Sequence, residues 1–180
     1  MLSLLCAGAL WAQPVNEQIM GKGTMTAEQL EAFFVKYNPD GDVQKASRLA
    51  KMYIEEADIE GVNHDVAFAQ MILETGWLRF QGLVKPEMNN FCGIGATGEK
   101  RTGHYFKSEQ EGVRAHVQHL KAYASKDSLR NPVIDPRYEY VSPKGKSPTV
   151  SGLSGTWAAD KTYAAKIKSV LQRMQLVINN

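Results

Sequence analysis

Cysteine is scarce in this 180-residue chain, with only Cys6 and Cys92, so a disulfide framework is excluded as the source of its stability. Charge of one sign is lacking too: 21 Lys and Arg stand against 19 Asp and Glu, a net of +2. No large basic field results. Charge therefore neither demands nor excludes nucleic acid, and none is expected as a partner, while a lightly basic surface also suits an anionic polymer. No apolar run is long enough to cross a bilayer, and no stable membrane insertion is expected. Internal repeats and low-complexity tracts are missing as well. What is present is ordinary for a globular protein, 43% hydrophobic and 22% charged residues, in a length that suits one domain with a real core.

Met1 to Ala12 carry no charge and are nearly all apolar. They read as the hydrophobic part of a signal peptide, with small Ala12 before Gln13 as the expected cleavage point. The usual positively charged leader is missing, and a loosely docked apolar tail is the other reading. Export to the periplasm, the cell envelope or the medium is the expectation. Removal of the segment would take Cys6 with it and leave Cys92 as the sole thiol. Residues 13–25, with Pro14, Gly21 and Gly23, show little periodicity and read as a flexible linker. The domain proper is expected over 26–178.

Thr26-x-x-Gln29 has the spacing of a capping box and opens a helix with Leu30, Phe33 and Phe34 inward, ended by Asn38-Pro39. A second helix is predicted from Val43 to Ala57, its inward face holding Ala46, Leu49, Ala50, Tyr53 and Ile54, with Gly61 closing it. The run Val66 to Leu73 is apolar almost all round, which places that helix at the centre of the domain. Residues 78–107 lack helical periodicity, hold Gly82, Pro86 and several further glycines, and predict loops with a short hairpin. Ser108-x-x-Glu111 opens a helix through about Ala124, and a last helix is predicted from Lys161 to Val177. The fold class is therefore mainly α (α+β), helical with a small β-hairpin lobe after the central helix.

Glu74 at the end of the central helix requires a reason, because burying a carboxylate costs several kcal/mol unless it is paired. Desolvation and the negative end of the helix dipole both raise its pKa. A carboxyl kept protonated near neutral pH is what a general acid for glycosidic cleavage needs, since the leaving oxygen departs poorly without a proton. The plain alternative is a frayed helix end with Glu74 in solvent.

The run Ala69-Gln70-Met71-Ile72-Leu73-Glu74-Thr75-Gly76-Trp77, followed by Asn89-Asn90-Phe91-Cys92-Gly93-Ile94-Gly95, resembles the signature of the glucosaminidase domains of glycoside hydrolase family 73. Downstream, Trp157-Ala158-Ala159-Asp160-Lys161-Thr162-Tyr163 is similar to the family's closing motif, usually Tyr-Ala-Thr-Asp-Pro-x-Tyr. The likeness spans roughly residues 45–177, with its three blocks in the family order. It implies a lysozyme-like fold whose hairpin lobe flanks the substrate groove. It also implies peptidoglycan glycan strands as partner, and hydrolysis of the β-1,4 bond between N-acetylglucosamine and N-acetylmuramic acid. Position by position, Glu74 matches the catalytic acid and Tyr163 the tyrosine beside the site. Asn90, Phe91 and Gly93 match the turn that shapes the groove. Ala159 replaces the usual Thr and Lys161 the usual Pro, which bears on the geometry of the closing loop.

The second carboxylate is less defined. Some family members carry a second Glu on the hairpin. Glu111 belongs to a capping box and Glu109 to the same helix start, so Glu99 is the candidate, although a Glu between Gly98 and Lys100-Arg101 also reads as a solvated turn residue. The substrate's own N-acetyl group could take this role, as in substrate-assisted glycosidases, or Asp135 or Asp160 could position a water. Trp77, Phe91, Tyr105, Tyr138, Trp157 and Tyr163 lie near the motifs and could line a sugar cleft; most aromatics are core, Trp157 and Tyr163 are the preferred binders with Phe91 and Tyr138 named beside them, and Trp77 reads equally as structural.

Three patterns point elsewhere. Gly93-x-Gly95-x-x-Gly98 fits a dinucleotide fingerprint but lacks the strand before and the helix after that the motif needs. His116-x-x-His119 has no companion ligands for zinc. Cys92 with His104 has no third member to orient a nucleophile. No cofactor or metal is expected, and the chain is expected to act as a monomer. Beside the glucosaminidase reading stand a lytic transglycosylase or muramidase on the same polymer, and a cell-wall binding module without catalysis.

Overall fold

A computed structural model describes residues 14–96 and 102–178 of the chain. Among them are five α-helices: α1 (Ala27–Tyr37), α2 (Val43–Glu60), α3 (His64–Glu74), α4 (Glu109–Ala124) and α5 (Tyr163–Ile178). Three short 3-10 turns, Pro86–Met88, Tyr138–Tyr140 and Val150–Leu153, punctuate the loops. The fold is mainly helical. The segment Met1–Ala12 and Glu99 lie outside the described residues.

The helix ends follow from local chemistry. At α1 the Thr26 side chain accepts from the Gln29 N–H and the Gln29 side chain returns the bond to Thr26, so two orphan amides are satisfied reciprocally. Asp42 caps α2, which runs one turn past its expected end before Gly61 terminates it in the left-handed conformation. Ser108 caps α4 through the Glu111 N–H.

The central helix is α3. It packs against α2, α4 and α5, and every residue from His64 to Ile72 except Asp65 is buried. Phe68 and Ile72 of this helix, and Leu30, Phe33, Phe34 and Leu49 from the helices of the same core, are fully excluded from water, each contributing about 2 kcal/mol of burial free energy. The α2–α4 seam is polar by contrast. Glu56 accepts a two-pronged pair from Arg114 at 2.9 and 3.0 Å. Buried Lys121 donates to Glu60 at 2.9 Å, whose carboxylate also accepts the Arg130 and Asn131 amides. These bonds fix the chain leaving α4 against the end of α2.

One expectation is corrected. Residues 14–25 are a strap, not a flexible linker: Gln18 bridges Thr149 and Met20 bridges Val62, Ile19 is fully buried, and Asp65 accepts the Thr24 and Met25 amides at 2.7 and 3.2 Å. Sequence periodicity misses this because the strap binds through its backbone. Of the hairpin, the described residues show a single antiparallel bridge, Ala96 to Thr102; residues 97–101 lie outside them.

Gly112 lets the Asn89–Phe91 turn lie directly on α4. A Cβ there would come within 1.7 Å of the Asn89 carbonyl oxygen, which is backbone and cannot swing away. Gly112→Ala is expected to destabilise the fold by about 2 to 3 kcal/mol, a drop of roughly 5 to 10 °C in Tm. A thermal melt checks this, and an unchanged Tm would refute the close approach.

Candidate active site

Glu74 ends α3, and the chain leaves it by a tight reversal. Gly76, Trp77 and Leu78 all take left-handed backbone angles, φ 57°, 63° and 60°. For the two non-glycine residues this costs about 1 to 2 kcal/mol each. Packing and hydrogen bonds offset it. The Trp77 ring lies 5.3 Å from Phe33 and 6.1 Å from Tyr37, the Trp77 carbonyl accepts from the Asn38 side chain at 3.1 Å, and Thr75 Oγ1 accepts the Leu78 N–H at 3.0 Å. Trp77 is thus structural, and its turn aims the Glu74 carboxyl outward from the core.

That carboxyl opens onto a groove of about 340 Å³ walled by Phe80, Leu83, Val84, Gly93, Trp157 and Ala158 among others. Glu74 is not buried as expected; its side chain is reachable by solvent. Exposure and desolvation diverge here because the groove is concave: water touches the carboxyl while protein surrounds it on most sides. Desolvation raises its pKa above the ordinary carboxylate range, opposed by hydrogen bonds from Tyr163 and Trp157.

Both donors use the same oxygen. The Tyr163 hydroxyl donates to Glu74 Oε1, and Trp157 Nε1–H donates to Oε1 at 3.2 Å. The other oxygen faces Gly93, where an added Cβ would sit 3.9 Å from Oε2. A proton on the carboxyl therefore belongs on Oε2, the oxygen on the side of Gly93, which lines the groove. The left-handed φ of 72° at Gly93 keeps that approach open.

Trp157 and Tyr163 arrive from the closing loop and the first turn of α5. The Trp157 and Ala158 amides both donate to the Leu153 carbonyl, at 2.9 and 3.4 Å, and Asp160 accepts from Thr162 and Lys166. Ala159 and Lys161, the departures in this block, are exposed and do not stop the loop from reaching Glu74. The Trp157 ring is itself seated on His119 and Tyr123, with centroids 4.9 and 5.0 Å away. Beyond it a second cavity of about 160 Å³, lined by His119, Tyr123, Arg137 and the Cys92–Ala96 turn, shares Trp157 and Gly93 with the first. The two cavities adjoin, with Cys92, Gly93, Ala96 and Trp157 lining both. A further cavity of about 160 Å³, between the strap and the end of α5, lies away from these residues.

The remaining candidates sort by what they touch. Asn90 lines the groove, but its amide is spent on the turn, donating to the Ile94 and His104 carbonyls and accepting the Ile94 N–H. Phe91 and Tyr138, named as sugar binders, are corrected to packing residues. Phe91 is fully buried near Phe80, and Tyr138 packs with Ala122 and Val141. Tyr105 stands in solvent, 67% exposed. Asp160 sits just before α5 and accepts from Lys166 and Thr162, which lower its pKa to about 2. Asp135 is buried and pairs with His119 Nδ1 at 2.7 Å. Cys92 is buried, and desolvation, aided by the charges of Glu74 and Asp135, holds its thiol protonated, which removes it as a nucleophile. Among the described residues Glu74 is the one carboxyl lining the cleft.

Sequence reading misses a buried polar chain behind the site. Gln70 Nε2–H donates to the Tyr163 oxygen at 2.9 Å, Gln70 Oε1 meets His116 Nε2 at 2.9 Å, and His116 Nδ1 meets the Tyr53 hydroxyl at 2.7 Å. The signal was present: Gln70 is the lone amide in the apolar run of α3 and lies four residues before Glu74, on the same helix face.

Comparisons with known proteins bear on the fold and the family. A protein of Borreliella burgdorferi described as uncharacterized is 44% identical over 162 residues, 90% of this chain and 78% of that protein. The crystal structure of S. aureus autolysin E, in complex with the muropeptide NAM-L-Ala-D-iGlu, matches with a TM-score of 0.58. That match covers 93% of this chain and 76% of that one at 16% identity, and so shows a shared fold. The family model described as Glucosaminidase, mannosyl-glycoprotein endo-beta-N-acetylglucosaminidase, matches residues 50–176. That stretch runs from within α2 into the last turns of α5 and includes Glu74, Trp157 and Tyr163, the three side chains that meet at Oε1, and by it this chain belongs to the glucosaminidase family.

Proposed function

We propose that this protein is a peptidoglycan hydrolase, an endo-β-N-acetylglucosaminidase that cleaves the β-1,4 bond between N-acetylglucosamine and N-acetylmuramic acid, with Glu74 as general acid. The observation that carries the reading is the Glu74 carboxyl lining a groove, clamped at Oε1 by Tyr163 and Trp157, with Oε2 on the side of Gly93 in the groove wall. A proton on Oε2 is within reach of a glycosidic oxygen lying in the groove, and a carboxyl whose pKa is raised retains it nearer neutrality. Two adjoining cavities, one on each side of Trp157 and Gly93, suit successive sugars of a polysaccharide. Trp157, Leu83 and Val84 offer apolar surface for the faces of sugar rings.

Family membership supports glycoside hydrolysis, and the fold shared with an autolysin solved with a muropeptide supports peptidoglycan as the polymer. Glu99 and the substrate's N-acetyl group are the two sources for the group that assists at the anomeric carbon. Asp135 and Asp160 are occupied by other bonds. A wall polymer lies outside the cytoplasmic membrane, so the enzyme acts after export, in line with the uncharged apolar run Met1–Ala12.

Digestion of purified peptidoglycan, followed by borohydride reduction and mass analysis, tests the reading. New reducing ends on N-acetylglucosamine are expected. Reducing muramic acid would make the protein a muramidase, an anhydro-sugar would make it a lytic transglycosylase, and binding without products would make it a wall-binding module.

A further inference from the structure

The hydrogen bonds behind Tyr163 have a direction that can be worked out atom by atom. Gln70 Oε1 is a carbonyl oxygen and only accepts, so His116 Nε2 carries the hydrogen of that 2.9 Å contact. A neutral imidazole with its hydrogen on Nε2 has a lone pair on Nδ1, so the Tyr53 hydroxyl donates to it at 2.7 Å. The Gln70 amide nitrogen only donates, so the Tyr163 oxygen accepts from it at 2.9 Å and sends its own hydrogen to Glu74 Oε1. Every donor in the series Tyr53, His116, Gln70, Tyr163 therefore points toward Glu74. Gln70 and His116 are fully buried, as is Tyr53, and water has no place in the chain to reverse it.

We propose that Tyr53, His116 and Gln70 are positioning residues that, acting through Tyr163, keep Glu74 Oε1 an acceptor and so confine the acid proton to Oε2 on the groove side. The inference rests on Glu74 being the acid. With the chain broken, the Tyr163 hydroxyl is free to turn and accept from a proton on Oε1, where it points away from the sugar.

Burial supports the required ring state. Desolvation, with the neighbouring charge of His119, lowers the His116 pKa to about 3, so the ring stays neutral at working pH. The titratable groups facing it are Tyr53 from α2 and His119 on α4 itself, with His119 in turn held by Asp135. Around Glu74 they are Tyr163 from α5 and Cys92 from the turn.

A double-mutant cycle tests the proposal, with reducing-end release from purified peptidoglycan as the readout. Gln70→Met is expected to lower kcat about tenfold with KM unchanged, and to move the alkaline limb of the pH profile upward because the carboxylate loses an ordered donor. In a Tyr163→Phe background the same change is expected to cost less than about twofold, since the path through the hydroxyl is already gone. An equal loss in both backgrounds would assign Gln70 to packing and overturn the proposal; so would no loss in the wild-type background. Should Gln70→Met fail to fold, His116→Gln and His116→Phe carry the test. The amide can still donate to Gln70 and should retain most of the rate, whereas the phenyl ring should match the Gln70 loss. Equal rates for the two overturn the idea. Glu74→Gln in the same assay separates the premises: if it stays active the acid assignment itself fails, and if it is inactive while the cycle is additive only the chain is refuted.

Discussion

Replacing Glu74 with Gln is expected to lower kcat on peptidoglycan about a thousandfold, while binding to the insoluble polymer is retained. The amide keeps the shape of the side chain, and its carbonyl can still accept from Tyr163 and Trp157 at the Oε1 position. What it lacks is a transferable proton on the atom facing Gly93. Folding should not suffer. The carboxyl has a raised pKa in the folded state, so above the ordinary carboxylate range it is ionised in the unfolded chain more readily than in the folded one, and that difference weighs against the fold. Removing the charge leaves Tm at pH 7 unchanged or slightly higher, a small effect because the groove is open to water. Turnover, a pull-down on peptidoglycan and a melt together check the expectation. Near-native turnover would remove Glu74 from the mechanism, and a large fall in Tm would show the activity loss to be a folding defect.

Tyr163→Phe carries the second-largest effect, about thirtyfold in kcat at the optimum. The ring remains and the α3–α5 packing is kept, but Glu74 Oε1 loses one of two donors and the buried Gln70 N–H loses its acceptor. The pH dependence has a definite sign. The Tyr163 bond lowers the Glu74 pKa, so removing it raises that pKa and the protonated acid persists to higher pH. Activity falls as the acid ionises, hence the alkaline limb of the kcat profile moves upward even as the maximum drops. A limb that moved downward, or a full rate at the optimum, would contradict the geometry. Tyr163 itself, its pKa pushed far above the usual phenol range mainly by burial and then by Glu74, does not ionise in this window.

Much of this protein was legible in the chain because helices announce themselves locally. The capping box at Thr26, the single cap at Ser108, the stop at Gly61 and the oily run of α3 each depend on neighbours within a few residues. The strap was not legible. Residues 14–25 are held by backbone amides and carbonyls that every residue possesses, so no side-chain pattern marks them. Phe91 and Tyr138 were misplaced for a related reason: proximity in sequence to a motif does not say which side of a turn a ring occupies.

By itself the sequence determined the helical scaffold and the identity of the residue worth explaining, Glu74, since an ionisable group at the end of an apolar helix is conspicuous in one dimension. Only the tertiary structure decided what that residue meets. Trp157 and Tyr163 lie 83 and 89 positions away and close on a single oxygen, and Tyr53, Gln70 and His116 align behind them from three helices. Hydrogen-bond direction and the face of a carboxyl are set by where distant segments pack, and local propensity carries no information about either.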